Sequence, residues 1–510
     1  MLTRLYKLTS NSATIAPVMK KKQILIIGGG FGGLAASALL AKQGFKVTLL
    51  EKNNELGGRA RVWKKDGFVF DMGPSWYLMP EVYEKFFAIF GKKPSDYYEL
   101  KRLDPSYRIF FGKNEKVDIS TDPKQNELLF DSFEEKGGEK FRKYLDFSKY
   151  QYDISMKSFI YKDYPNLLSF FDRELIKVGP KLKVFESMER YVHRFFNSDR
   201  ARKVLLYNIV FLGGSPKITP AIYSVMAHAD FNLGVWYPMG GFGAIVTAMT
   251  QIAKEQGVQF KTNCTVKKIV VNKSGIAEKV LTNKGIIKTD VVLANADYSY
   301  VETSLLDTKF QSYPSSYWKK KIIAPSGFIL YLGLNKKVKN LAHHNLFLAN
   351  DWVNHFDEIF KNPSWPENPS YYVCAPSKTD PTVAPKNHEN IFILVPIASG
   401  IKDTVKMRET FSKKIIAHLE ELIEEKIEES IIFKRTYSLN DFKNDYNAFQ
   451  GTALGLTHTL LQTAVFRPKN KSQKIKNLYY TGQYTLPGTG VPMVIIGSEI
   501  VSKKIIAEQF

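Results

Sequence analysis

The sequence predicts an α/β protein in which a parallel, helix-flanked sheet is built from separated stretches of chain. A second, mixed α+β domain is expected to be inserted in two pieces. Three observations support this architecture. The chain has 510 residues, which is too long for one ordinary hydrophobic core. An apolar strand, a glycine turn and an apolar helix follow one another between Ile24 and Leu40. A strand, a glycine loop and an apolar helix recur from Asn477 onward.

The composition is globular and strongly basic. Lys and Arg number 72 against 50 Asp and Glu, a formal net charge of +22, which favours polyanionic partners such as nucleic acid, anionic phospholipid or an acidic ligand. The two cysteines, Cys264 and Cys374, are far apart and in no CxxC or CxxH setting. They predict neither a metal site nor a disulfide framework, and they suit a reducing compartment.

One uncharged stretch, Ile24 to Ala41, has the length of a membrane span. The five glycines between Gly28 and Gly33 would break a helix in its middle, so a strand, a turn and a helix are predicted instead. No other apolar run is long enough, and the protein is expected to be soluble or peripheral. Residues 1–19 are expected to form a disordered leader, with initiation at Met19 as an alternative.

The regular elements follow from apolar periodicity and turn residues. The acidic stretch from Phe411 to Ser430 is predicted to be an amphipathic helix whose Glu run faces solvent. The other predicted elements are strands at Gln23–Ile27, Lys46–Leu50, Val258–Val271, Val280–Lys288, Val291–Ala294, Phe328–Leu334 and Ile391–Pro396, helices at Gly32–Gln43 and Phe242–Gln256, and a hairpin at Gly67–Asp71.

The glycine turn has the spacing of a dinucleotide-binding fingerprint. In Gly28-x-Gly30-x-x-Gly33 the first glycine permits the tight turn, the second lets the backbone approach a pyrophosphate, and the third lets helix and strand pack closely. The second predicted strand ends at Glu51, 23 positions after Gly28. A carboxylate at that position can accept both hydroxyls of an adenosine ribose and repels a 2′-phosphate, which argues against NADP.

The residues after Glu51 carry a family resemblance. Leu56-Gly57-Gly58-Arg59-Ala60 resembles the FAD-dependent amine oxidase superfamily, which implies FAD as cofactor and a Rossmann-like FAD-binding domain. The resemblance places Gly58 and Arg59 along the diphosphate and ribityl chain. It also makes the segment from Gly67 to Pro74, including Gly73, the strand that leads to the flavin ring.

Two later segments agree with this resemblance. Val266 stands where the family holds adenine through a valine backbone. Near the C-terminus Gly482 ends a strand, and Gly490 and Val491 open the helix whose N–H groups face the flavin. Many members carry an acid after the first of these glycines, whereas this chain has Gln483. The cofactor-binding residues expected from motif and resemblance are Gly28, Gly30, Gly33, Glu51, Gly58, Arg59, Gly73, Val266, Gly482, Gly490 and Val491.

Further runs resemble the bacterial-type carotenoid desaturases, with phytoene desaturases the most similar. They are FLGGSP at 211–216, PAIY at 220–223, GVWYP at 234–238, FRP at 466–468 and the tail from Thr481. The resemblance implies oxidation of CH–CH to C=C in a C40 polyene, with a hydride passing to flavin N5. It also implies a hydrophobic carotenoid substrate, which would be bound in an apolar tunnel.

Several alternatives stay open. Hydroxycarotenoid desaturases, diapophytoene desaturases and carotene isomerases share these motifs, and an amine oxidase is a more distant alternative. The non-enzymatic alternative is a basic flavoprotein that binds nucleic acid. No zinc spacing, RNP motif or recognition helix supports it, so no nucleic-acid partner is expected.

No catalytic residue is predicted. His228 and Asp230 are the polar residues nearest the desaturase-like segment, and a structural role is expected for each. The segment Leu167 to Phe196 mixes Phe and Leu with Lys and Arg and is expected to contact anionic lipid headgroups. The expected location is the cytoplasm, peripherally on the inner membrane; no oligomeric state follows.

The predicted domain order alternates between the two domains. The boundaries are 1–19 for the leader, 20–105, 231–305 and 441–510 for the three parts of the FAD-binding domain, and 106–230 and 306–440 for the two parts of the substrate domain.

Overall fold

A computed structural model describes residues 21–164, 182–349 and 351–509. The predicted leader, residues 1–19, lies outside these residues. So do residues 167–181, the first half of the segment expected to contact lipid.

The chain forms nineteen strands in the described residues. They are β1 Gln23–Ile27, β2 Lys46–Leu50, β3 Val62–Lys65, β4 Phe68–Asp71, β5 Leu100–Arg102, β6 Tyr107–Gly112, β7 Glu115–Ile119, β8 Trp236–Pro238, β9 Gln259–Lys261, β10 Val266–Val271, β11 Ala277–Thr282, β12 Gly285–Lys288, β13 Val291–Ala294, β14 Ser326–Leu334, β15 His344–Phe347, β16 Tyr371–Cys374, β17 Glu389–Ile397, β18 Ile431–Tyr437 and β19 Leu478–Tyr480.

The described residues also form α-helices. They are Phe31–Lys42, Pro80–Ala88, Pro123–Phe133, Gly137–Ser158, Met188–His193, Asp199–Leu206, Asn208–Phe211, Val225–Ala227, Phe242–Glu255, Tyr298–Tyr300, Ser315–Lys319, Trp352–Phe360, Val405–Ile423, Leu439–Tyr446 and Val491–Gln509. Two π-helical turns occur at His228–Asn232 and Val301–Leu305.

The first sheet is parallel and has the strand order β19-β13-β1-β2-β9. Its strands come from residues 23–50, 259–294 and 478–480, so distant stretches of chain meet in one sheet. The helix Phe31–Lys42 is apolar around almost its whole circumference. It can be so because it packs between two other helices, Phe242–Glu255 and Val491–Gln509.

The second large sheet is mixed, with the order β18-β14-β17-β16-β15-β6-β7. Its strands pair antiparallel except β15 with β6, which run parallel. All nine residues of β14 are buried, which fits a central strand covered on both faces. Together the two sheets agree with the predicted α/β architecture; the exact domain boundaries stay a prediction.

Two predicted elements were wrong in extent. The stretch Val258–Val271 contains two strands, β9 and β10, because Asn263 adopts a left-handed conformation with φ 51° and turns the chain between them. The predicted strand Val280–Lys288 likewise divides into β11 and β12.

The predicted acidic helix Phe411–Ser430 also differs. The helix runs from Val405 to Ile423, and Glu424 ends it in the left-handed conformation. The carboxylate of Glu420 accepts the backbone N–H groups of Ile427 and Glu428 at 2.7 and 2.8 Å. Glu420 is therefore buried at the end of the helix, so the prediction that it faces solvent was wrong.

No helix within the described residues is both long enough and apolar enough to cross a lipid bilayer. The stretch Ile24 to Ala41 that had the length of a span is divided between β1 and the helix Phe31–Lys42, as predicted.

Candidate functional site

A large cavity of about 1350 Å³ lies between the carboxyl ends of the parallel sheet and the mixed sheet. Pockets for a single small ligand usually measure roughly 300–1,000 Å³, so this space is large enough for more than one. One arm follows the glycine turn and the C-terminal loop. The other arm has a mainly apolar lining from the mixed sheet and the helices.

The glycine turn is closed to side chains at the first and third glycines of the motif, Gly28 and Gly33. Gly28 has φ +103°, and its N–H donates to the carbonyl of Leu50 at 2.8 Å. A Cβ on Gly33 would lie 2.1 Å from the carbonyl oxygen of Gly28. The third glycine therefore allows the helix to start directly against the turn, which brings free N–H groups to the cavity.

Asn295 fixes this turn from the neighbouring strand and was not predicted from the sequence. It follows β13, its N–H donates to the carbonyl of Ile27 at 2.8 Å, and its Nδ2 donates to the carbonyl of Gly28 at 3.1 Å. Its side chain also limits the space at Gly32 and Gly482. A sequence signal existed, since an apolar strand followed by Asn matches the carboxyl-end rule for parallel sheets.

Glu51 lies at the carboxyl end of β2 with its carboxylate at the cavity wall. Its Oε2 accepts the N–H of Gly29 at 2.8 Å, and its Oε1 accepts the N–H of Asn53 at 2.9 Å. These two bonds orient the carboxylate, which is 5% exposed as a residue. Its position beside the glycine turn is the one predicted for a ribose acceptor.

Arg59 lines the cavity beside the turn, and its environment fits an anionic ligand. Its guanidinium lies 5.0 Å from the ring centroid of Tyr446, and its buried Nε has no hydrogen-bond partner in the described chain. A buried N–H without a partner costs free energy, so a phosphate at this position would remove that cost. Gly58 has φ +56°, and a Cβ on Gly73 would lie 2.5 Å from the carbonyl oxygen of Arg59.

The C-terminal segment closes the cavity at the opposite side. Gly482 and Gly490 have φ values of +106° and +111°, and Val491 is the first residue of the last helix, a 19-residue element. With its amide oriented to satisfy its neighbours, Gln483 accepts from Arg59 Nη2 at 3.3 Å. The amide thus contacts the arginine, at the position where many members of the family carry an acid.

Most of the predicted cofactor-binding residues line the same cavity. Val266, at the start of β10, lines the far end of the cavity next to Cys264 and Thr265. Gly33 does not line the cavity and lies beneath the turn. The remaining ten predicted residues line it: Gly28, Gly30, Glu51, Gly58, Arg59, Gly73, Val266, Gly482, Gly490 and Val491. Their contact with a cofactor stays a prediction.

Asp230 and His228 lie outside the cavity lining, in the π-helical turn. The Oδ2 atom of Asp230 accepts from Tyr107 at 2.8 Å, Tyr207 at 2.7 Å and Asn208 at 3.2 Å. Burial raises the pKa of Asp230 to about 6. His228 pairs with Asn232 through Nδ1 at 2.7 Å, and burial lowers its pKa. These internal contacts support the structural role expected for both.

A cavity-facing polar group that the sequence did not suggest is His458. Its Nδ1 pairs with the hydroxyl of Tyr223, its Nε2 is buried without a partner, and burial lowers its pKa well below the ordinary value. Beside it Arg467 is buried and makes no ion pair within the described chain; burial lowers its pKa. Both lie against Gly488, in the loop that precedes the last helix.

Comparison with known families and proteins agrees with this geometry. The family description for flavin containing amine oxidoreductases matches residues 31–506. The carotenoid 3,4-desaturase of Haloarcula japonica is 43% identical over 488 residues, which is 96% of this chain and 98% of that protein. The zeta-carotene-forming phytoene desaturase of Myxococcus xanthus is 32% identical over 95% of this chain and 94% of that protein. The 4,4'-diapophytoene desaturase of Staphylococcus haemolyticus is 31% identical over 95% of this chain and 99% of that protein.

Solved structures share the fold at low sequence identity. A putrescine oxidase superposes with a TM-score of 0.61 at 13% identity, covering 96% of this chain and 99% of that chain. An oxidoreductase from Methanosarcina mazei superposes with a TM-score of 0.60 at 15% identity, covering 94% and 100%. The predicted fold class, with a dinucleotide-binding part and a mixed second part, is confirmed.

Proposed function

Because this chain belongs to the flavin-containing amine oxidoreductase family, and within it to the carotenoid desaturases, we propose that it introduces the C3–C4 double bond of a C40 carotenoid. The chain is an FAD-dependent oxidoreductase that acts on CH–CH bonds, and its substrate is a hydrophobic carotenoid. The position of the new double bond is the proposal. The observation that carries it is the 43% identity to the carotenoid 3,4-desaturase over 96% of the chain, against 32% to a phytoene desaturase.

The residues around the glycine turn would hold the FAD. The N–H groups at the start of the helix Phe31–Lys42 face the cavity and suit a pyrophosphate. Glu51 would accept the ribose hydroxyls, and Arg59 would donate its unpaired Nε–H to a phosphate oxygen. Val266 would border the adenine. Gly490 and Val491 would present the positive end of the last helix to the flavin ring.

The apolar arm provides what a hydrocarbon substrate requires. Bound FAD supplies the oxidising chemistry by accepting a hydride at N5. A carotenoid offers no polar group to bind, so its affinity comes from removing apolar surface from water, about 25 cal/mol per Å². Aromatic and aliphatic side chains such as Trp76, Tyr207, Leu346 and Leu394 line the arm. They would orient the polyene and exclude water from the reacting carbons.

The test is expression in two host strains, one accumulating phytoene and one accumulating lycopene. We expect lycopene to lose two hydrogen atoms per new double bond by mass spectrometry and to absorb at longer wavelength. Phytoene should stay unchanged. A host that carries the Arg59→Ala variant is the matched control. A product of unchanged mass would contradict desaturation and indicate the isomerase alternative.

Phytoene desaturation is the second candidate function, supported by the motifs at 211–216 and 466–468 and by the 32% identity to the Myxococcus xanthus enzyme. Conversion of phytoene with no change to lycopene would establish it in place of 3,4-desaturation.

We further propose that the chain works peripherally on the cytoplasmic face of the inner membrane, because its substrate dissolves in lipid. Exposed apolar residues lie beside the cavity-lining pair Thr463 and Ala464. Leu461 is 67% exposed, Phe466 42% and Ile322 44%. The N–H of Ile322 donates to Gln462 at 2.9 Å, so these residues share one surface. Three lysines at 319–321 directly precede Ile322 and would attract anionic lipid.

Vesicle binding tests this proposal. We expect the protein to co-sediment with vesicles that contain anionic lipid, and less so at high salt. Leu461→Ser should weaken the affinity for vesicles roughly tenfold or more, since one exposed leucine inserted into lipid contributes about 1.5–3 kcal/mol. Leu128, which is 68% exposed on another helix, gives the matched control Leu128→Ser. Equal loss in both variants would contradict docking through this surface.

A further inference from the structure

A cluster of potential metal-binding side chains lies behind the wall of the apolar arm. His344 begins β15 and Cys374 ends β16, and the two residues are register partners in the antiparallel pair. His343 directly precedes β15. One potential ligand atom from each of the three residues lies within 4.8 Å of the other two, and all three residues are buried.

The imidazoles are arranged as metal ligands usually are. His343 Nδ1 pairs with Thr379 Oγ1 at 2.7 Å, and His344 Nδ1 pairs with the hydroxyl of Tyr372 at 2.6 Å. The Nε2 atoms of both rings are buried and have no hydrogen-bond partner in the described chain. A buried ring nitrogen without a partner is costly, whereas a histidine held by an oxygen at one nitrogen is oriented to bind a metal through the other.

Carboxylates near the cluster would balance a bound cation. Asp380 accepts the N–H of Gly240 at 2.7 Å and the hydroxyl of Tyr237 at 3.3 Å. The Tyr237 ring lies 4.6 Å from the ring of His343. Burial raises the pKa of Asp71, at the end of β4, to about 7, and Asp71 together with burial raises the pKa of the Cys374 thiol, an effect that a bound cation would offset. A divalent ion bound by one thiolate and two neutral imidazoles has a net charge of +1, which these acids offset.

We propose that His343, His344 and Cys374 hold a zinc ion through the two free ring nitrogens and the cysteine sulfur. Two nitrogen donors and one sulfur donor are the ligands that Zn²⁺ prefers in tetrahedral sites, with bonds of about 2.0–2.3 Å. Ligand atoms of a tetrahedral site with these bond lengths lie about 3.3–3.6 Å apart. One ligand atom of each residue lies within 4.8 Å of the other two, so these atoms would close by at most about 1.5 Å around the ion. A water molecule completes the fourth position.

The ion would fasten the part of the cavity wall that contacts the substrate. The His344 ring stacks on Trp76 with centroids 4.7 Å apart and planes 16° apart, and Tyr372 bonds to Ser75 at 2.9 Å. Trp76, Ser75 and Tyr372 all line the cavity. Zinc at this position therefore joins β15 to β16 and fixes these side chains, without itself taking part in electron transfer.

The sequence predicted no metal site because the sequence pattern typical of one is a short spacing of cysteine and histidine ligands. His344 and Cys374 are 30 positions apart in the chain and become neighbours only through strand pairing.

The test uses the FAD-loaded enzyme, purified without a polyhistidine tag or chelator from zinc-supplemented cells. Zinc per chain is measured by mass spectrometry. We expect about one zinc per chain in the wild type and less than about a tenth in Cys374→Ser and His344→Ala. The control Cys264→Ser removes the other buried thiol, which belongs to a different hydrophobic cluster from Cys374, and should keep about one zinc per chain. Zinc-edge X-ray absorption of the wild type should show two nitrogens and one sulfur.

Two results would overturn the site: a wild-type enzyme without zinc after dialysis against excess Zn²⁺, or an absorption spectrum without sulfur. The spectrum needs no variant, so an unstable Cys374→Ser protein leaves the proposal testable. Zinc content does not depend on which carotenoid is converted. An enzyme that binds zinc and leaves both carotenoids unchanged would contradict only the proposed function.

Discussion

The nucleotide turn has no space for a Cβ atom at Gly33. A Cβ at this position would lie 2.1 Å from the carbonyl oxygen of Gly28, and both groups belong to rigid backbone. Gly33→Ala should therefore displace the turn at a cost of about 1–3 kcal/mol, which corresponds to roughly 10- to 100-fold weaker FAD binding. Flavin titration of the apoprotein measures this change.

The control for Gly33 is Gly112→Ala, because the space around Gly112 is open and its backbone is not left-handed. The Gly112→Ala variant should bind FAD with the affinity of the wild type. Unchanged affinity in Gly33→Ala would show that the turn adjusts to a side chain, contrary to this expectation.

Asp230 should make stability depend on pH. Burial raises its pKa to about 6 in the folded protein, above the ordinary value of about 3.9. Between these two values the folded state binds a proton that the unfolded state has released, so stability falls as pH rises through this window. Tyr107 and Tyr207, which face the carboxyl group, stay neutral because burial raises the pKa of each hydroxyl well above its ordinary value.

Asp230→Asn removes this titration. Relative to the wild type, the variant should gain about 1.4 kcal/mol of stability between pH 5 and pH 8, because about one pKa unit separates pH 5 from the folded-state pKa of about 6. Thermal unfolding at both pH values measures the difference. Asp66→Asn, at a side chain that is 69% exposed, should show none. An equal difference at pH 5 and pH 8 in Asp230→Asn would refute the linkage.

Arg467 and His458 show what residue types alone do not reveal. Arg467 belongs to an FRP run that contributed to the family resemblance, but nothing in its neighbours indicated burial without a carboxylate. His458 was one of eight histidines in the chain. Its importance comes from facing the cavity with an unpaired ring nitrogen.

At the scale of elements, the end of β13 supports the turn after β1. Asn295 bonds to the backbone of Ile27 and Gly28, so two neighbouring parallel strands share one polar residue at their carboxyl ends. Asn295→Ala should lose the side-chain bond to Gly28, worth about 0.5–1.5 kcal/mol, and weaken FAD binding roughly three- to tenfold.

The matched control for Asn295 is Asn354→Ala, at an exposed asparagine on the helix Trp352–Phe360. FAD affinity should be unchanged in this variant. If Asn295→Ala also keeps wild-type affinity, the glycine turn holds its shape without support from β13.

Element boundaries were predicted well where periodicity was strong and poorly where a tertiary contact ended the element. β1, β2 and β13 have the predicted bounds, since apolar runs end at glycine or polar residues. The acidic helix ended early because Glu420 captures backbone N–H groups beyond Ile423. That contact depends on how the chain folds back, which periodicity does not describe.

At the scale of the whole molecule, a change in the apolar arm of the cavity should leave FAD binding in the arm along the glycine turn unaffected. Leu394 lies in β17 and lines the cavity. Leu394→Trp places a larger side chain in the apolar arm. The resulting steric clash with the substrate should cost about 1–3 kcal/mol and slow desaturation roughly tenfold or more. FAD content per chain should stay at the wild-type level.

Activity with a solubilised carotenoid and flavin absorbance of the same sample measure both properties. Leu128→Trp places the same residue on an exposed surface and should leave rate and flavin content unchanged. Loss of flavin in Leu394→Trp would mean that the two arms are not independent.

Local sequence patterns were enough to predict the nucleotide turn, the acid after β2, the interrupted α/β fold and the family. These features depend on residues that are close in the chain and on backbone geometry that only glycine adopts. The tertiary structure decided the rest. It brought Asn295 under the turn, His458 and Arg467 against the C-terminal loop, and Cys374 beside two histidines. Such contacts join residues that are far apart in the chain, so they are set by strand pairing and packing, which local patterns do not encode.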